Sequence, residues 1–291
     1  MRGSARTFGA ITITNALPAG VGCAAGIALP VDAEVSITSD GSSDPPKLRG
    51  SPMSRSPVVD ESVRAGLAHY YPGTGVVASV SLQSEIPTAR GLKSSSAVST
   101  AFILAVARAA GREPGPLEVG RHAADVGRRT GLSATGAFDD ALAGLEPGFV
   151  VTDNGRDSVL RRSDIDPAWG VLLYIPPDPH PPSPGLVQAF SRERDAGERA
   201  GRAALDGDWA TAMRINTELV ERTMNYSYRS LRERLVRRGA IASGVSGLGP
   251  TLAVIAPTAR LPDLAELLPK DRAEKRLVPF CRNSSNGGRP R

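Results

Sequence analysis

Lysine, histidine, cysteine and aromatic side chains are all scarce in this 291-residue chain, and each scarcity excludes something. Two cysteines, Cys23 and Cys281, cannot build a disulfide framework, and with His69, His122 and His180 they cannot supply a standard zinc set. Aromatics make up 4%, so the core must rest on Ala, Val, Leu and Ile. No apolar run is long: the longest, Ala97 to Ala107, falls far short of the roughly 20 residues a bilayer span needs, which excludes a membrane partner. The opening MRGSARTFGAITIT has no apolar stretch before a small-residue cleavage site, so no secretory signal and a cytoplasmic protein are expected. No Gly-Lys pair occurs anywhere, which excludes the G-x-x-x-x-G-K-[ST] loop of ordinary nucleotide kinases. Only four of the 35 basic residues are lysines. The arginines that remain are interleaved with acids, as in Ser191-Arg192-Glu193-Arg194-Asp195, and read as solvated helix faces. A dense basic stripe with aromatics, the mark of nucleic-acid binding, is missing.

What is present is the composition of a packed α+β protein, 41% hydrophobic and 22% charged. Alternation of β-branched residues predicts strands at Ala10–Ala16, Ile27–Thr38 and Val76–Leu82, with further strands at 148–152, 171–175, 251–256 and near 277–280. Residues 18–26 form a small-residue segment. Residues 39–57, rich in Ser, Pro, Gly and Asp, are expected to be a surface loop. Helical spacing predicts helices over Val58–Tyr71, from the Ser94 region to about Ala110, over Pro116–Arg129, from near Phe138, in three stretches between Gly185 and Arg238, and over Leu261–Leu268. The helix after Ser94 has almost no polar face and must be buried on most of its surface. Pro176–Pro184 (PPDPHPPSP) cannot be regular structure and is expected to be a boundary or flap. No internal repeat is visible.

Three segments could carry chemistry. The first, Gly91-Leu92-Lys93-Ser94-Ser95-Ser96-Ala97, lies between a strand and the buried helix. A glycine followed by small residues lets the backbone turn tightly and present several N–H groups toward an anion, at the positive end of the helix dipole. Serine hydroxyls there can complete an octahedral Mg²⁺ shell, though serines at a helix start serve equally well as plain N-caps. The second, Thr135-Gly136-Ala137-Phe138-Asp139-Asp140-Ala141, puts two adjacent carboxylates at a helix start. They could serve a hydroxyl nucleophile as base, or simply complement the dipole. Adjacent helical residues point about 100° apart, so one of the two is expected to face a site. The third, Ser243-Gly244-Val245-Ser246-Gly247-Leu248-Gly249-Pro250, allows close approach to a ligand or to the first loop. Pro250 and the β-rich run after it exclude a dinucleotide fingerprint. The histidines are given no catalytic role, and Cys23 reads as a small buried residue, not a nucleophile.

The opening GAITITNALPAGVGCAAGIAL, then EIPTARGLKSSSAVSTA, TGAFDDALAG and GAIASGVSGLGPTLAV, resemble in this order the motifs of the GHMP small-molecule kinase superfamily. Within it they are most similar to the archaeal-type shikimate kinases. The resemblance spans residue 9 to about 256. It implies a two-domain α+β fold: an N-terminal half like ribosomal protein S5 domain 2, here residues 1–155, and a ferredoxin-like C-terminal half, residues 156–291. It implies ATP and Mg²⁺ as cofactors and phosphorylation of shikimate to shikimate 3-phosphate. Homoserine- and mevalonate-type acceptors, and a non-catalytic sensor on the same fold, stand as alternatives, and a homodimer is left open. On this resemblance Pro87, Thr88, Ala89, Arg90, Gly91, Leu92, Lys93, Ser94, Ser95, Ser96 and Ala97 form the triphosphate loop, with the Ser95 hydroxyl reaching Mg²⁺. Asp139 is the catalytic acid-base residue, ahead of Asp140. Gly244, Ser246, Gly247 and Gly249 form the third motif, Asn15 and Gly20–Gly26 face the cleft, and arginines anchor the substrate carboxylate. Two departures stand out. Ala10 occupies the first-strand position where several members carry a lysine, so a cation assisting the acid must come from elsewhere. Arg128 stands where some carry a Mg²⁺-binding glutamate, with Asp125 the nearest carboxylate.

Overall fold

A long hairpin organises the N-terminal half. β1 (Arg2–Thr14) pairs antiparallel with β2 (Val21–Ser39) from Arg2↔Ser36 to Thr14↔Cys23. The computed structural model describes residues 1–42, 44–51, 54–72, 75–179 and 185–282. On its other edge β2 pairs with two strands in succession: β5 (Phe149–Asp153) along Val21–Ala25 and β4 (Val76–Ser84) along Val31–Ser39. β3 (Lys47–Arg49) extends the sheet beyond β4, and β6 (Ser158–Ser163) beyond β5. A second, antiparallel sheet runs β10-β7-β9-β8, with β7 Trp169–Ile175, β8 Ala242–Val245, β9 Leu252–Pro257 and β10 Glu274–Pro279. The two are stitched together where β2 is free between its partners: Ile27 bridges Phe280, and Cys281 N–H donates to Gly26 C=O.

The strands begin earlier and run longer than their β-branched cores suggest. Ala5 and Thr7 alternate inward on β1, and Val21 to Gly26 is already ladder, because small residues let helices press directly on it. The expected 39–57 loop carries β3, held by its parallel pairing to β4. Its residues 43, 52 and 53 lie outside the described residues, as do 180–184 of the proline-rich boundary, including His180. The seam expected after residue 155 falls in the turn of the β5–β6 hairpin, inside one sheet. Sheet membership changes only between Ser163 and Trp169.

α1 (Pro57–Tyr70), α2 (Ser94–Ala109), α3 (Pro116–Arg129) and the short α4 (Phe138–Ala143) serve the first sheet. α2 is buried at every residue from Ala97 to Ala107, as its apolar surface demands. Four helices, not three, follow Gly185: α5 (Leu186–Ser191), α6 (Arg194–Asp206), α7 (Trp209–Met224) and α8 (Arg229–Arg237). α9 (Leu261–Ala265) closes the set. α7 packs on both β8 and β1, so one apolar cluster runs from Ile11 and Phe102 through to Met213 and Ile255. Among the described residues no helix is long and apolar enough to cross a membrane.

Candidate active site

α1 and α2 start differently, and the difference locates the site. The N-cap of α1 is Ser56, whose side chain accepts from Val59 N–H, and Asp60 sits in the first turn. α2 starts at Lys93 in the left-handed conformation (φ 67°, ψ 30°), with no side-chain cap and no acid in its first turn. The plain N-cap alternative is thereby removed. The amides of its first turn keep their positive end for something else, and they open on a cavity of about 500 Å³.

The floor of that cavity holds a carboxylate pair. Asp139 and Asp140 are 4% and 8% exposed, in a helical turn opened by Ala137 in the left-handed conformation, and both line the cavity. The expectation that only one would face it is therefore corrected. The two side chains still leave the helix about 100° apart, and the cavity floor is broad enough to meet both. Asn154 Nδ2 donates to Asp139 Oδ1 at 2.8 Å, and Lys93 Nζ lies 3.1 Å from Asp140 Oδ2. Burial raises both carboxyls above the ordinary range. Lys93 pulls both back down, Asp139 with the help of the Asn154 hydrogen bond, and Asp140, further raised by Asp139's charge, still reaches about 7. Its Oδ1 is buried with no hydrogen-bond partner.

Ala10 supplies no cation, yet one stands beside the acids: Lys93. Ala10 N–H donates to Leu92 C=O at 3.3 Å, so the first strand passes one residue from Lys93, and the cation reaches the acids from the loop instead. The other departure also settles locally. Arg128 is held by Asp125 at 2.6 Å and by both oxygens of Asp157, so Asp125 is spent on an ion pair away from the cavity.

The third motif buttresses the first. Ser246 Oγ donates to Gly91 C=O at 2.7 Å and accepts from Thr12 N–H at 3.1 Å, while Gly247 N–H donates to Thr12 Oγ at 2.8 Å. Gly91 (φ 78°) comes so close that a Cβ there would stand 2.0 Å from Ser246 C=O. Of the expected site residues, Thr88, Ala89, Gly91 to Ser96, Asn15, Gly247 and Gly249 line the cavity with the acids. Ser246 braces it from behind. Pro87, Arg90, Ala97 and Gly244 do not line it. Pro87 opens on a separate groove beside β10, the Arg90 guanidinium donates to Pro177 C=O, and Ala97 C=O accepts from Thr7 Oγ. Gly244 exists for packing, since a Cβ would meet Thr217 Oγ at 2.2 Å. Gly20–Gly26 lies beneath the acids and not on the cleft, with Gly22 leaving room for Asp139: a Cβ would fall 2.5 Å from the Asp139 carboxyl carbon. No arginine is among the described residues lining the cavity, so the expected arginine anchor for a carboxylate is not there. Thr12 and Thr135 lie in the quoted motifs but carry no role in the sequence reading, and Asn154 lies outside those motifs. Only the position of Asn154 at the end of a β-run, beside Asp153-Asn-Gly, hinted at a special turn.

Two interlocked glycine loops thus bring an uncapped helix start within one cavity of two buried acids and a lysine, a setting that suits phosphoryl transfer. Residues 59–146 match the family model for the GHMP kinases N terminal domain. The fold agrees: the mevalonate kinase of Methanococcus jannaschii superposes with a TM-score of 0.73 at 13% identity over 97% of this chain and 99% of that one. The Lactococcus lactis galactokinase complexed with galactose superposes with a TM-score of 0.71 at 10% identity, over 96% and 94%. Sequence similarity narrows the class. The chain is 36% identical to the shikimate kinase of Thermococcus kodakarensis over 91% of this chain and 95% of that protein. It is 34% identical to that of Methanothrix thermoacetophila over 88% and 85%. The chain belongs to this shikimate kinase family of GHMP kinases.

Proposed function

We propose that this protein transfers the terminal phosphoryl group of ATP to the 3-hydroxyl of shikimate, in the cytoplasm and with Mg²⁺. The observation that carries the reading is the uncapped start of α2 opposite the Lys93–Asp140 and Asn154–Asp139 pairs, in a chain more than one-third identical to a shikimate kinase along nearly its whole length. The structural relatives act on different acceptors, at identities too low to choose among them; the sequence relatives make the choice.

Phosphoryl transfer asks the protein mainly for positioning and charge neutralisation. The first-turn amides of α2 would hold phosphate oxygens through hydrogen bonds assisted by the dipole. The residues fit a hard divalent cation, because Ser94, Ser95 and Ser96 are among the five serines lining the cavity and the buried Asp140 Oδ1 has no partner. Ser95 would hold Mg²⁺, which neutralises phosphate charge when bound. Asp139, fixed by Asn154, orients the acceptor hydroxyl and takes its proton. Lys93 favours the ionised form of both acids beside it.

A coupled ADP-release assay over shikimate, homoserine, mevalonate and galactose tests the proposal. Turnover is expected with shikimate alone. Preference for another acceptor, or ATP binding without turnover on any, would reject it. Ser95→Ala is expected to move the activity curve to higher Mg²⁺ concentration, and superimposable Mg²⁺ titrations of the two proteins would remove Ser95 from the metal.

A further inference from the structure

His69 and His122, far apart in sequence, meet on the surface of the helical layer. α1 and α3 lie antiparallel: Arg129 at the end of α3 pairs with Glu61 near the start of α1 at 3.0 Å, and at the opposite end His69 of α1 meets Glu118 and His122 of α3. Glu118 and His122 are one helical turn apart and so share a face. The two imidazole rings have centroids 4.4 Å apart, and His69 Nε2 lies 3.4 Å from Glu118 Oε1. One nitrogen from each ring and one carboxylate oxygen all fall within 4.8 Å of one another.

We propose that His69, Glu118 and His122 form a site for a borderline divalent cation of the Zn²⁺ class, clamping α1 to α3 outside the active site. Metal–ligand distances of about 2.0–2.2 Å place tetrahedral donors roughly 3.3 Å apart, so small rotations of half-exposed side chains close the present spacing. Two imidazoles and one carboxylate select zinc-like ions over Mg²⁺ or Ca²⁺, which prefer all-oxygen shells. The donor count by cysteine and histidine alone misses such a site, because the third ligand is a glutamate. Tyr70, whose hydroxyl donates to Glu118 Oε1 at 2.9 Å, orients that carboxylate as the outer partner of a metal ligand does.

Zn²⁺ titration of the full chain, with excess Mg²⁺ present to occupy oxygen-rich sites, tests this by competition with a chromophoric chelator. One Zn²⁺ per chain is expected, with a rise of about 5 °C in Tm at a hundredfold excess over Kd. His69→Asn and Glu118→Gln, both at exposed positions, should each weaken binding at least tenfold. Cys281→Ser should leave it unchanged. His69 and Glu118 line no part of the kinase cavity, so Mg²⁺–ATP turnover in these variants should match the parent. Binding weaker than millimolar, or equally tight in the His69 and Glu118 variants, would overturn the site whatever the substrate of the kinase proves to be.

Discussion

Lys93–Asp140 and Arg232–Glu221 are the two ion pairs, among the described residues, whose partners are both withdrawn from water, and they are built in opposite ways. Arg232 meets both Glu221 oxygens, Nη2 to Oε2 at 2.8 Å and Nε to Oε1 at 3.3 Å, and Oε1 also accepts from Tyr228 N–H at 2.9 Å. Both carboxylate oxygens there are matched, as a buried pair must be to offset its desolvation. Lys93 makes one contact to Asp140, leaves Oδ1 unpartnered, and stands beside a second carboxylate. Satisfied charge holds helices α7 and α8 together; unsatisfied charge is kept where a reacting group can use it. The contrast also shows why burial alone does not identify a site.

If that reading is correct, the acids should fail in rate and the α7–α8 pair in stability. Asp139→Asn is expected to lower kcat by about 10²–10⁴-fold, the usual worth of a positioned base, with an unaltered Tm. A rate within a fewfold of the parent would move the role to Asp140. Arg232→Met should do the reverse. Removing one partner of a buried pair costs about 3–5 kcal/mol, read as a lower urea midpoint, with kcat unchanged at temperatures where the variant is folded. Equal losses of rate would mean that the pair belongs to the site after all.

The pH dependence sharpens the comparison. Asp140 titrates near 7 in the fold against 3.8 for an ordinary aspartate. Between those values the folded protein binds more protons than the unfolded chain, so this group's contribution to stability is largest at low pH and is lost as pH rises toward 7. Activity should run the other way, rising over the same interval as the coupled acids ionise. Asp140→Asn is expected to flatten the Tm profile between pH 5 and 8 by a few degrees and to move the acidic limb of kcat downward, since Lys93 then acts on Asp139 alone. An acidic limb that stays in place would separate it from this pair.

Much of this was legible in the chain because it is local. A glycine and three serines before an all-apolar helix, a double acid at a helix start and a glycine-rich turn each announce themselves within ten residues, and they converge. What stayed hidden depends on residues brought together from afar. Asn154 reaches Asp139 only because β5 lies beside β2, and Thr12 matters only because β1 passes under Ser246. The small-residue run at 20–26 was visible, but its purpose was misjudged, since emptiness beneath a carboxylate and openness to a cleft look the same in one dimension. The motif of Lys93 points to phosphate, and only the fold turns it toward Asp140.

The smallest expected effect tests whether the glycine loops act as one unit. Ser246 Oγ is shared between Gly91 C=O and Thr12 N–H, so Ser246→Ala strips a partner from two main-chain groups on two different motifs. Unmade hydrogen bonds of buried groups cost about 1–3 kcal/mol, part of which water recovers at the cavity edge. Because Gly91 sets the entry to α2, the loss should fall on nucleotide binding before it falls on the acids. A several-fold higher KM for ATP with kcat nearly unchanged is expected. A fall in kcat at constant KM would instead tie the third motif to the carboxylates, and the division between a saturated scaffold and an open reactive pair would have to be drawn closer to the floor of the cavity.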